Sequence, residues 1–332
     1  MKLKILTKIA IVMILALNLT SCATKINVNQ PISEQTKNTN ESEKVEVVSP
    51  TVDKEQNTQQ EDSNTKLQVE EDKKVSSSTI PDELKSVVNP DSKKQVNGEF
   101  SQYDNKCYSW WYRKQKDKPP TIDQAAQQLL QKYNGMYLQH TDEKVLYLTF
   151  DEGYENGYTP KILDVLKENQ VKAAFFITGP YLTKHSDLVK RMVEEGHIVG
   201  NHTVRHLSMP DVTEDQKLEE EILGLERPFY EMFRKNMKYI RPPKGEYSER
   251  TLALTKSLGY KTVFWSFAYL DWDVKNQKGT EYAYNKVMDG LHNGAILLLH
   301  AVSKDNAEAL DRIIKDARAK GYEFKSLDDF QW

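Results

Sequence analysis

Two histidines at a short spacing are the residues of this sequence that most directly suggest chemistry. His202 and His206 stand four positions apart in the segment His-Thr-Val-Arg-His. On one turn of helix, imidazoles at this spacing point the same way, as two ligands of a divalent metal must. A carboxylate from the adjacent pair Asp151 and Glu152 would complete a set with positions left open for water, which is typical of a catalytic metal site. The histidine pair alone could equally be a polar face of a helix.

Three further polar residues stand at the ends of apolar segments. Arg241 precedes two prolines that stiffen its backbone, Asp271 follows the apolar run that ends near Phe267, and His300 follows a run of three leucines. A single histidine in such a position is usually a satisfied structural group. Together with the acidic pair and the histidine pair, however, these residues predict one shared site.

Elements that could bring these residues together begin at about residue 143. From there, short apolar, β-branched runs alternate with longer segments of helical periodicity. The predicted strands are 145–150, 173–177, 197–200, 239–241, 262–267 and 295–299. The predicted helices are 160–169, 186–195, 213–236, 248–258, 281–291 and 305–320. This α/β alternation predicts parallel strands covered by helices, either as an open sheet or as a closed barrel, and in both cases the loops after the strands converge on one edge.

The composition restricts the classes of function. The 332 residues carry a formal net charge of -3 with 29% charged residues, so the sequence has no basic field and predicts no nucleic acid partner. Only two cysteines are present, which excludes a disulfide framework. The first aromatic residue is Phe100 and the first histidine is His140, which places the core in the C-terminal part. The sequence makes no prediction of an oligomeric state.

The N-terminus resembles a bacterial lipoprotein signal. Three lysines in the first eight residues precede the apolar run Ile9–Leu17, which is too short to span a membrane and is typical of a secretory signal. The segment Leu19–Cys22 resembles a lipobox. It implies a signal peptide at residues 1–21, a lipidated Cys22 anchored to the membrane, and a protein that faces the cell wall from outside the cytoplasm. The alternative is an ordinary signal peptide with an incidental cysteine.

The rest of the chain divides by composition. Residues 22–98 are rich in Asn, Gln, Ser, Thr, Lys and Glu, and they predict a disordered tether. Residues 99–142 are too few for a core of their own, so they predict an extension that packs on the main domain. Residues 143–332 form the predicted catalytic domain.

The motifs occur in an order that resembles a known family. The chain is identified as a member of the carbohydrate esterase family 4 polysaccharide deacetylases, whose shared region is called the NodB homology domain. The matching motifs are TFDEG at 149–153, HTVRH at 202–206, RPPKG at 241–245, LDW at 270–272 and LLLH at 297–300. The resemblance implies a distorted (β/α) barrel and hydrolysis of an N-acetyl amide.

The resemblance also implies roles for the polar residues. Asp151 is expected to be the catalytic base, and Arg241 the residue that orients it. His300 is expected to be the general acid, with its imidazole held by Asp271. These roles suit an amide hydrolysis in which one group takes a proton from water and another protonates the departing amine.

A divalent metal is implied with His202, His206 and Glu152 as ligands. Zinc is the expected ion, with cobalt or manganese as alternatives. The family usually has aspartate where this chain has Glu152, which is longer by one methylene group. A water molecule in place of Glu152 is the alternative.

Four residues are expected to contact the substrate. The backbone near Lys244 and Gly245 would stabilise the oxyanion of the reaction. The rings of Tyr154 and Trp272 would stack on sugar, although simple core packing would explain them as well.

Further segments narrow the expected substrate. The segments 153–159, 109–112 and 118–120 resemble the delta-lactam-biosynthetic de-N-acetylases of spore-forming bacteria. That resemblance implies N-acetylmuramic acid of spore cortex peptidoglycan as the substrate and a muramic delta-lactam as the eventual product. The alternatives are deacetylation of N-acetylglucosamine or of another exported polysaccharide, and a non-catalytic lipoprotein that binds the wall. Because a mere binder has no evident need for an oriented acid and base, the catalytic interpretation is favoured.

Overall fold

The structure is a computed structural model, and it describes residues 89–92, 98–115 and 118–331. The predicted signal peptide, Cys22 and most of the predicted tether lie outside these residues. Among the helices that are described, none combines the length and the apolar character needed to cross a membrane.

The described residues form short strands and α-helices that alternate through the main domain. The strands are β1 (Tyr108–Ser109), β2 (Arg113–Gln115), β3 (Lys118–Thr121), β4 (Gly135–Met136), β5 (Val145–Glu152), β6 (Ala174–Ile177), β7 (Ile198–Asn201), β8 (Tyr239–Ile240), β9 (Glu246–Tyr247), β10 (Lys261–Val263), β11 (Ala295–His300) and β12 (Glu323–Phe324). The helices are α1 (Gln124–Lys132), α2 (Thr159–Glu168), α3 (Gly179–Lys184), α4 (Ser186–Glu194), α5 (Asp215–Phe233), α6 (Glu249–Ser257), α7 (Thr280–Asp289) and α8 (Lys304–Ala319). All six predicted strands and all six predicted helices are present, with shifted ends.

The main sheet is parallel and curls toward closure. Its strand order is β11-β5-β6-β7-β8-β10-β4, and β12 also pairs with β5. Beyond these strands, isolated bridges join Leu138 to Ala295 and Phe267 to Leu297, so the two ends of the sheet meet. The choice between an open sheet and a barrel is therefore resolved in favour of a distorted barrel, as the family resemblance implies.

The central strand β5 shows how the sequence divides the inside of the barrel from its outside. All eight of its residues are buried, as expected for a parallel strand covered on both faces. Val145 and Tyr147 pack in a small cluster with β6 and β11 residues inside the barrel. Leu146, Leu148 and Phe150 belong to the large cluster between the sheet and the helices. Because side chains alternate along a strand, residue 151 continues the inner row and residue 152 the outer one.

The segment predicted to pack on the barrel also contributes to the sheet. Within residues 99–142, β4 pairs in parallel with β10, and helix α1 precedes it. Strand β1 pairs with β9, which follows the RPPKG motif. The extension is thus joined to the barrel by backbone hydrogen bonds as well as by side-chain packing.

Candidate active site

A cavity of about 920 Å³ opens where the C-terminal ends of the parallel strands meet, the edge that the sequence predicted. The predicted site residues that line it are Asp151, Tyr154, His202, His206, Lys244, Gly245, Trp272 and His300. Arg241 and Asp271 are buried behind the lining and contact it through hydrogen bonds. Glu152 is the one predicted site residue among those described that neither lines the cavity nor supports its lining.

Asp151 lies at the end of β5 and forms an ion pair with Arg241. The Nη1 of Arg241 donates to Oδ1 of Asp151 at 2.7 Å, while Oδ2 of Asp151 lies 3.5 Å from Nε2 of His202. Burial by itself would raise the pKa of Asp151, but the charge of Arg241, aided by the nearby His202 and His300 imidazoles, outweighs burial and holds it below its usual value. Asp151 is therefore an ionised carboxylate with one oxygen fixed and the other turned to the cavity.

Arg241 is held from several sides. Its Nη2 donates to Oγ1 of Thr149 at 2.9 Å, and its Nε donates to the carbonyl of Val263 at 3.1 Å. The guanidinium carbon lies 4.2 Å from the centre of the Phe176 ring, a cation–π contact inside the barrel. This fully buried cation is thus compensated by one carboxylate and several hydrogen bonds, which suits it to fix the position of Asp151.

His202 and His206 come together in a loop. The sequence predicted a turn of helix, but the residues after β7 are not helical, and Thr203 and His206 have positive φ angles of 64° and 58°. Glu221 of α5 holds the loop, because its carboxylate accepts from the backbone N–H and the guanidinium of Arg205. The prediction of a shared direction is nevertheless confirmed, since the two Nε2 atoms lie 3.1 Å apart.

The contacts of His202 define which of its nitrogens is free. Its Nδ1 lies 2.7 Å from the carbonyl oxygen of Arg241, and since a carbonyl only accepts, Nδ1 must carry the hydrogen. Burial lowers the pKa of His202 to about 4, so the ring is neutral near pH 7. Nε2 of His202 therefore carries a lone pair, which faces Nε2 of His206 at 3.1 Å.

The His202–His206 pair fits a metal ion. Two nitrogens at roughly 2.1 Å from one tetrahedral ion would lie about 3.4 Å apart. The observed separation of 3.1 Å is within a few tenths of an ångström of that value. In the described part of the chain, no three His, Cys, Asp or Glu side chains form a ready-made metal cluster. Among the described residues, the two imidazoles are therefore the ligands that the protein offers to a metal ion.

Glu152 differs from its predicted role as a metal ligand. It continues the outer row of β5 and is fully buried, and among the described residues neither carboxylate oxygen has a partner within normal hydrogen-bond distance, although the hydroxyls of Thr159 and Tyr181 lie near enough to favour its charged form. Burial first, and then the neighbouring Glu155 and Asp151 carboxylates, raise the pKa of Glu152 well above its usual value. Because adjacent residues of a strand face opposite sides, Asp151 enters the cavity and Glu152 cannot enter beside it. We therefore exclude Glu152 from the proposed ligands.

His300 lies at the end of β11 and is paired with Asp271 as predicted. Its Nδ1 lies 2.7 Å from Oδ1 of Asp271, and its backbone N–H donates to Oδ2 at 2.8 Å. Burial opposes the charged imidazolium, but the Asp271 carboxylate outweighs burial and raises the pKa of His300 above its usual value. With Nδ1 bound to Asp271, Nε2 of His300 is the nitrogen available to the cavity.

Two supporting residues were missed by sequence reasoning. Asn306, in the first turn of α8, donates to Oδ2 of Asp271 at 2.6 Å and accepts from the Tyr269 hydroxyl. Thr149 accepts from Arg241 and donates to the carbonyl of Leu297 at 2.7 Å. Thr149 could have been found, because it stands two positions before Asp151 and so shares its face of the strand. Asn306 gave no comparable signal.

The Lys244–Gly245 segment forms a tight turn on the cavity wall. Both residues have positive φ, 59° for Lys244 and 66° for Gly245. A Cβ on Gly245 would lie 2.8 Å from the Trp265 ring and 2.9 Å from the Trp110 side chain, so only glycine fits. The side chain of Lys244 is exposed at the cavity.

The predicted sugar-stacking residues lie at the cavity mouth. Tyr154 is 52% exposed and Trp272 is 56% exposed, which excludes simple core packing for either ring. Leu270, at 56%, and Val274, at 37%, are exposed on the same loop as Trp272. The rim therefore presents an apolar surface above polar catalytic groups.

This combination of a parallel barrel, an oriented carboxylate, two convergent imidazoles and an aspartate-held histidine defines a hydrolase of the carbohydrate esterase type. The profile of the family described as polysaccharide deacetylase matches residues 139–263. The chain belongs to the polysaccharide deacetylase family, as its similarity to two relatives and to one solved structure shows and as the sequence predicted.

One relative is peptidoglycan-N-acetylmuramic acid deacetylase PdaA of Bacillus subtilis. The two are 46% identical over 230 residues, which cover 69% of this chain and 87% of the relative. The solved structure of Bacillus subtilis PdaA, described as a family 4 carbohydrate esterase, matches with a TM-score of 0.66 over 68% of this chain and 97% of that one. A peptidoglycan-N-acetylglucosamine deacetylase of Bacillus cereus is 35% identical over 191 residues, 57% of this chain and 88% of the relative.

Proposed function

We propose that this chain is a metal-dependent hydrolase that removes the acetyl group from N-acetylmuramic acid residues of peptidoglycan. The observation that carries the proposal is the pairing of Asp151 with Arg241 and of His300 with Asp271 around one cavity. One pair holds an ionised carboxylate and the other holds an imidazole whose charged form is favoured. A base and an acid are thus prepared at the same site.

The residues divide the reaction between them. Oδ2 of Asp151 is the oxygen that accepts the proton of the attacking water, because Oδ1 is fixed by Arg241. His300, charged through its contact with Asp271, donates its Nε2 proton to the departing amine. The backbone N–H of Lys244 is the group expected to donate to the carbonyl oxygen as its charge develops, since the N–H of Gly245 already donates to the carbonyl of Pro242 at 3.0 Å.

The proposed metal would be held by His202 and His206. A bound divalent ion supplies Lewis acidity toward the acetamide carbonyl and lowers the pKa of a coordinated water toward about 7. Imidazole ligands suit zinc, with cobalt or manganese as alternatives. Its remaining positions are left to water and substrate, since Glu152 lies on the other face of β5.

The preference for muramic acid has support of two kinds. The 46% identical relative is named for that sugar, whereas the relative named for glucosamine is 35% identical. In addition, Lys244 and Lys275 line the cavity and, within the described residues, neither forms an ion pair, while Arg205 is paired with Glu221. Muramic acid carries a lactyl carboxylate that glucosamine lacks, and these two ammonium groups complement it.

The cellular setting is part of the same proposal. The lipobox at Leu19–Cys22 supports an anchor on the outer face of the membrane, from which the tether would let the barrel reach the wall. The resemblance to delta-lactam-biosynthetic enzymes supports a role in sporulation, with the freed amine passing into a muramic delta-lactam.

The test is mass spectrometry of glycan fragments after incubation of the chain with peptidoglycan stripped of part of its peptide stems. Loss of acetyl from muramic acid, abolished by a chelator and by Asp151→Asn, is expected. Loss of acetyl from glucosamine alone would keep the chemistry and overturn the substrate. Binding to the glycan without any loss of acetyl would favour the non-catalytic alternative.

A further inference from the structure

The carboxylate of Asp271 is held by residues of two different elements. From β11, His300 donates its Nδ1–H to Oδ1 at 2.7 Å and its backbone N–H to Oδ2 at 2.8 Å. From the first turn of α8, Asn306 donates through Nδ2 to Oδ2 at 2.6 Å. Because His300 is the residue whose imidazole Asp271 supports, Asn306 is the one of these two residues that can fix the carboxylate independently of the acid.

The direction of the Asn306 amide is determined by its neighbours. Its Oδ1 accepts from the Tyr269 hydroxyl, and its backbone N–H donates to Oγ of Ser303, the residue that caps α8. An amide side chain has one donor end and one acceptor end, and a carboxylate only accepts, so the Nδ2 end must face Asp271. A flipped amide would lose the bonds to both Asp271 and Tyr269.

Tyr269 is itself fixed at the wall of the cavity. Its ring lies between the rings of Phe267 and Tyr282, with centroid distances of 6.2 Å to each. Burial, and then the charge of Asp271, raise the pKa of Tyr269 above its usual value, so the hydroxyl keeps its proton. A permanent donor therefore faces the acceptor end of the Asn306 amide.

The main chain of Asp271 is held by other groups. Its backbone N–H donates to the carbonyl of Tyr269 at 3.0 Å, and its carbonyl accepts from Nε2 of Gln277 at 2.9 Å. Asp271 and Asn306 are each 1% exposed, so bulk water does not compete for the bond between them. Loss of the Asn306 amide should therefore release the carboxylate while the loop stays in place.

We propose that Asn306 is a positioning residue of the reaction, which, fixed by Tyr269, holds the Asp271 carboxylate in the orientation that serves His300. Asn306 does not line the cavity, so it acts through Asp271 and not on the substrate. A carboxylate that could turn away would attract the imidazolium less strongly, because the attraction between two charges falls with distance. This inference rests on the proposed function, in which His300 is the acid.

The first measurement follows the imidazole of His300 directly. NMR titration of the purified chain gives the pKa of His300, with His300→Gln to assign its signal. In Asn306→Ala this pKa is expected to fall, in the same direction as in Asp271→Asn but by less. The other charged groups that act on His300, Asp151 and Arg241, are retained in both variants. A pKa in Asn306→Ala equal to that of the unsubstituted chain, or above it, would overturn the proposal.

Steady-state kinetics on glycan fragments test whether Asn306 acts through Asp271. Asn306→Ala is expected to lower kcat about fivefold to thirtyfold and to leave KM within about twofold. In a chain that already carries Asp271→Asn, the same substitution should lower kcat by less than about twofold, because residues that act as a unit have non-additive effects. Full multiplication of the two losses would show an independent role for Asn306 and would contradict the inference.

Two further variants guard against a general loss of structure. Tyr269→Phe keeps the ring and removes the hydroxyl, so it should lower kcat about twofold to fivefold and add nothing further to Asn306→Ala. Should Asn306→Ala fail to fold, a fall in the pKa of His300 in Tyr269→Phe would support the proposal, and an unchanged pKa would overturn it.

The matched control is Asn169→Ala. It removes a buried asparagine whose Nδ2 donates to Oδ1 of Asp311 at 2.9 Å, a bond of the same kind at a place that does not line the cavity. Its kcat should stay within about twofold of the unsubstituted value. A loss as large as that of Asn306→Ala would mean that any buried amide has this effect, and the proposal would fail.

Failure of this inference can be told apart from failure of the proposed function. If the unsubstituted chain removed no acetyl groups while Asn306→Ala still lowered the pKa of His300, the positioning would stand and the proposed function would fail. If the unsubstituted chain were active and Asn306→Ala changed neither that pKa nor kcat, the inference alone would fail.

Discussion

The floor of the cavity, where the catalytic residues lie, and its rim, where the aromatic residues lie, differ in burial and in how firmly their side chains are held. On the floor, Asp151, Arg241 and Asp271 are buried, and each is fixed by hydrogen bonds or ion pairs. On the rim, Tyr154 and Trp272 are more than half exposed. Groups that must meet a transition state gain from being held in place beforehand, because no reorganisation is then needed during the reaction. Groups that only hold a sugar can stay loosely packed, because each contributes area rather than geometry.

The largest effect is expected when the catalytic base on the floor of the cavity is replaced. Asp151→Asn keeps the shape but removes the proton acceptor, so the deacetylation rate should fall by about 10³-fold or more. Arg241 would still find a hydrogen-bond acceptor in the asparagine, so the barrel should remain folded. Kinetics on the glycan fragment, with circular dichroism as the folding control, check this. A loss below about tenfold would mean that Asp151 is not the base.

The second prediction for the floor of the cavity concerns the pH dependence of the deacetylation rate. His300 must be charged to act as the acid, and Asp271 raises its pKa, so activity should persist at higher pH than an ordinary histidine allows. Asp271→Asn removes the negative charge, and the pKa of His300 should fall. The alkaline limb of the pH–rate profile should then move to lower pH, with a loss of about 10²-fold near neutrality.

A control for that experiment is Asp273→Asn, which removes a carboxylate on the same loop; within the described part of the chain, this carboxylate forms no hydrogen bond with His300. The alkaline limb of the pH–rate profile of this variant should lie at the same pH as that of the unsubstituted chain. A limb that moved equally in both variants would point to a general field effect instead of the Asp271–His300 pair.

The rim should respond more weakly. Trp272→Ala removes an exposed ring from the mouth of the cavity, so KM should rise about threefold to tenfold while kcat changes little. Steady-state kinetics on glycan fragments separate the two constants. A fall in kcat as large as that of the Asp271 variant would show that the rim and the floor are not independent.

The smallest effect is expected at Glu152. Its side chain lies outside the cavity, so Glu152→Gln should leave metal affinity within about twofold, whereas loss of a direct ligand or its support typically costs 10-fold to 100-fold. Titration of the metal into the metal-free chain checks this, with His206→Ala as the matched variant that removes a proposed ligand. Equal losses in both variants would restore the sequence-based prediction for Glu152.

Strand β5 explains both a correct and an incorrect prediction from the sequence, namely the place of Asp151 in the cavity and the role of Glu152 as a metal ligand. Apolar runs located the strands, and the rule that loops converge at their C-terminal ends placed Asp151, His202 and His300 in one cavity. The strand was predicted to end at Phe150, however, and it continues to Glu152. In a strand that continues to residue 152, side chains alternate between the two faces, so Asp151 and Glu152 must point to opposite sides of the sheet.

Other features depend on contacts that no local pattern encodes. The histidine loop takes its shape from Glu221 on a distant helix, and Asp271 is held by Asn306 through a contact across 35 positions. Trp110 and Tyr112 dock on the cavity wall through backbone atoms of Trp265 and Ala268. Backbone partners of this kind carry no side-chain signature, so the sequence alone could not predict them.

The seam of the barrel has a consequence for the acid of the active site. Phe267 joins β11 through a single bridge to Leu297, and four residues later the same loop delivers Asp271 to His300. One stretch of chain therefore both pairs with β11 at the seam of the barrel and holds the imidazole of the acid. Without the pairing at this seam His300 would lose the carboxylate that favours its charged form, so the integrity of the wall and the chemistry of the site depend on the same residues.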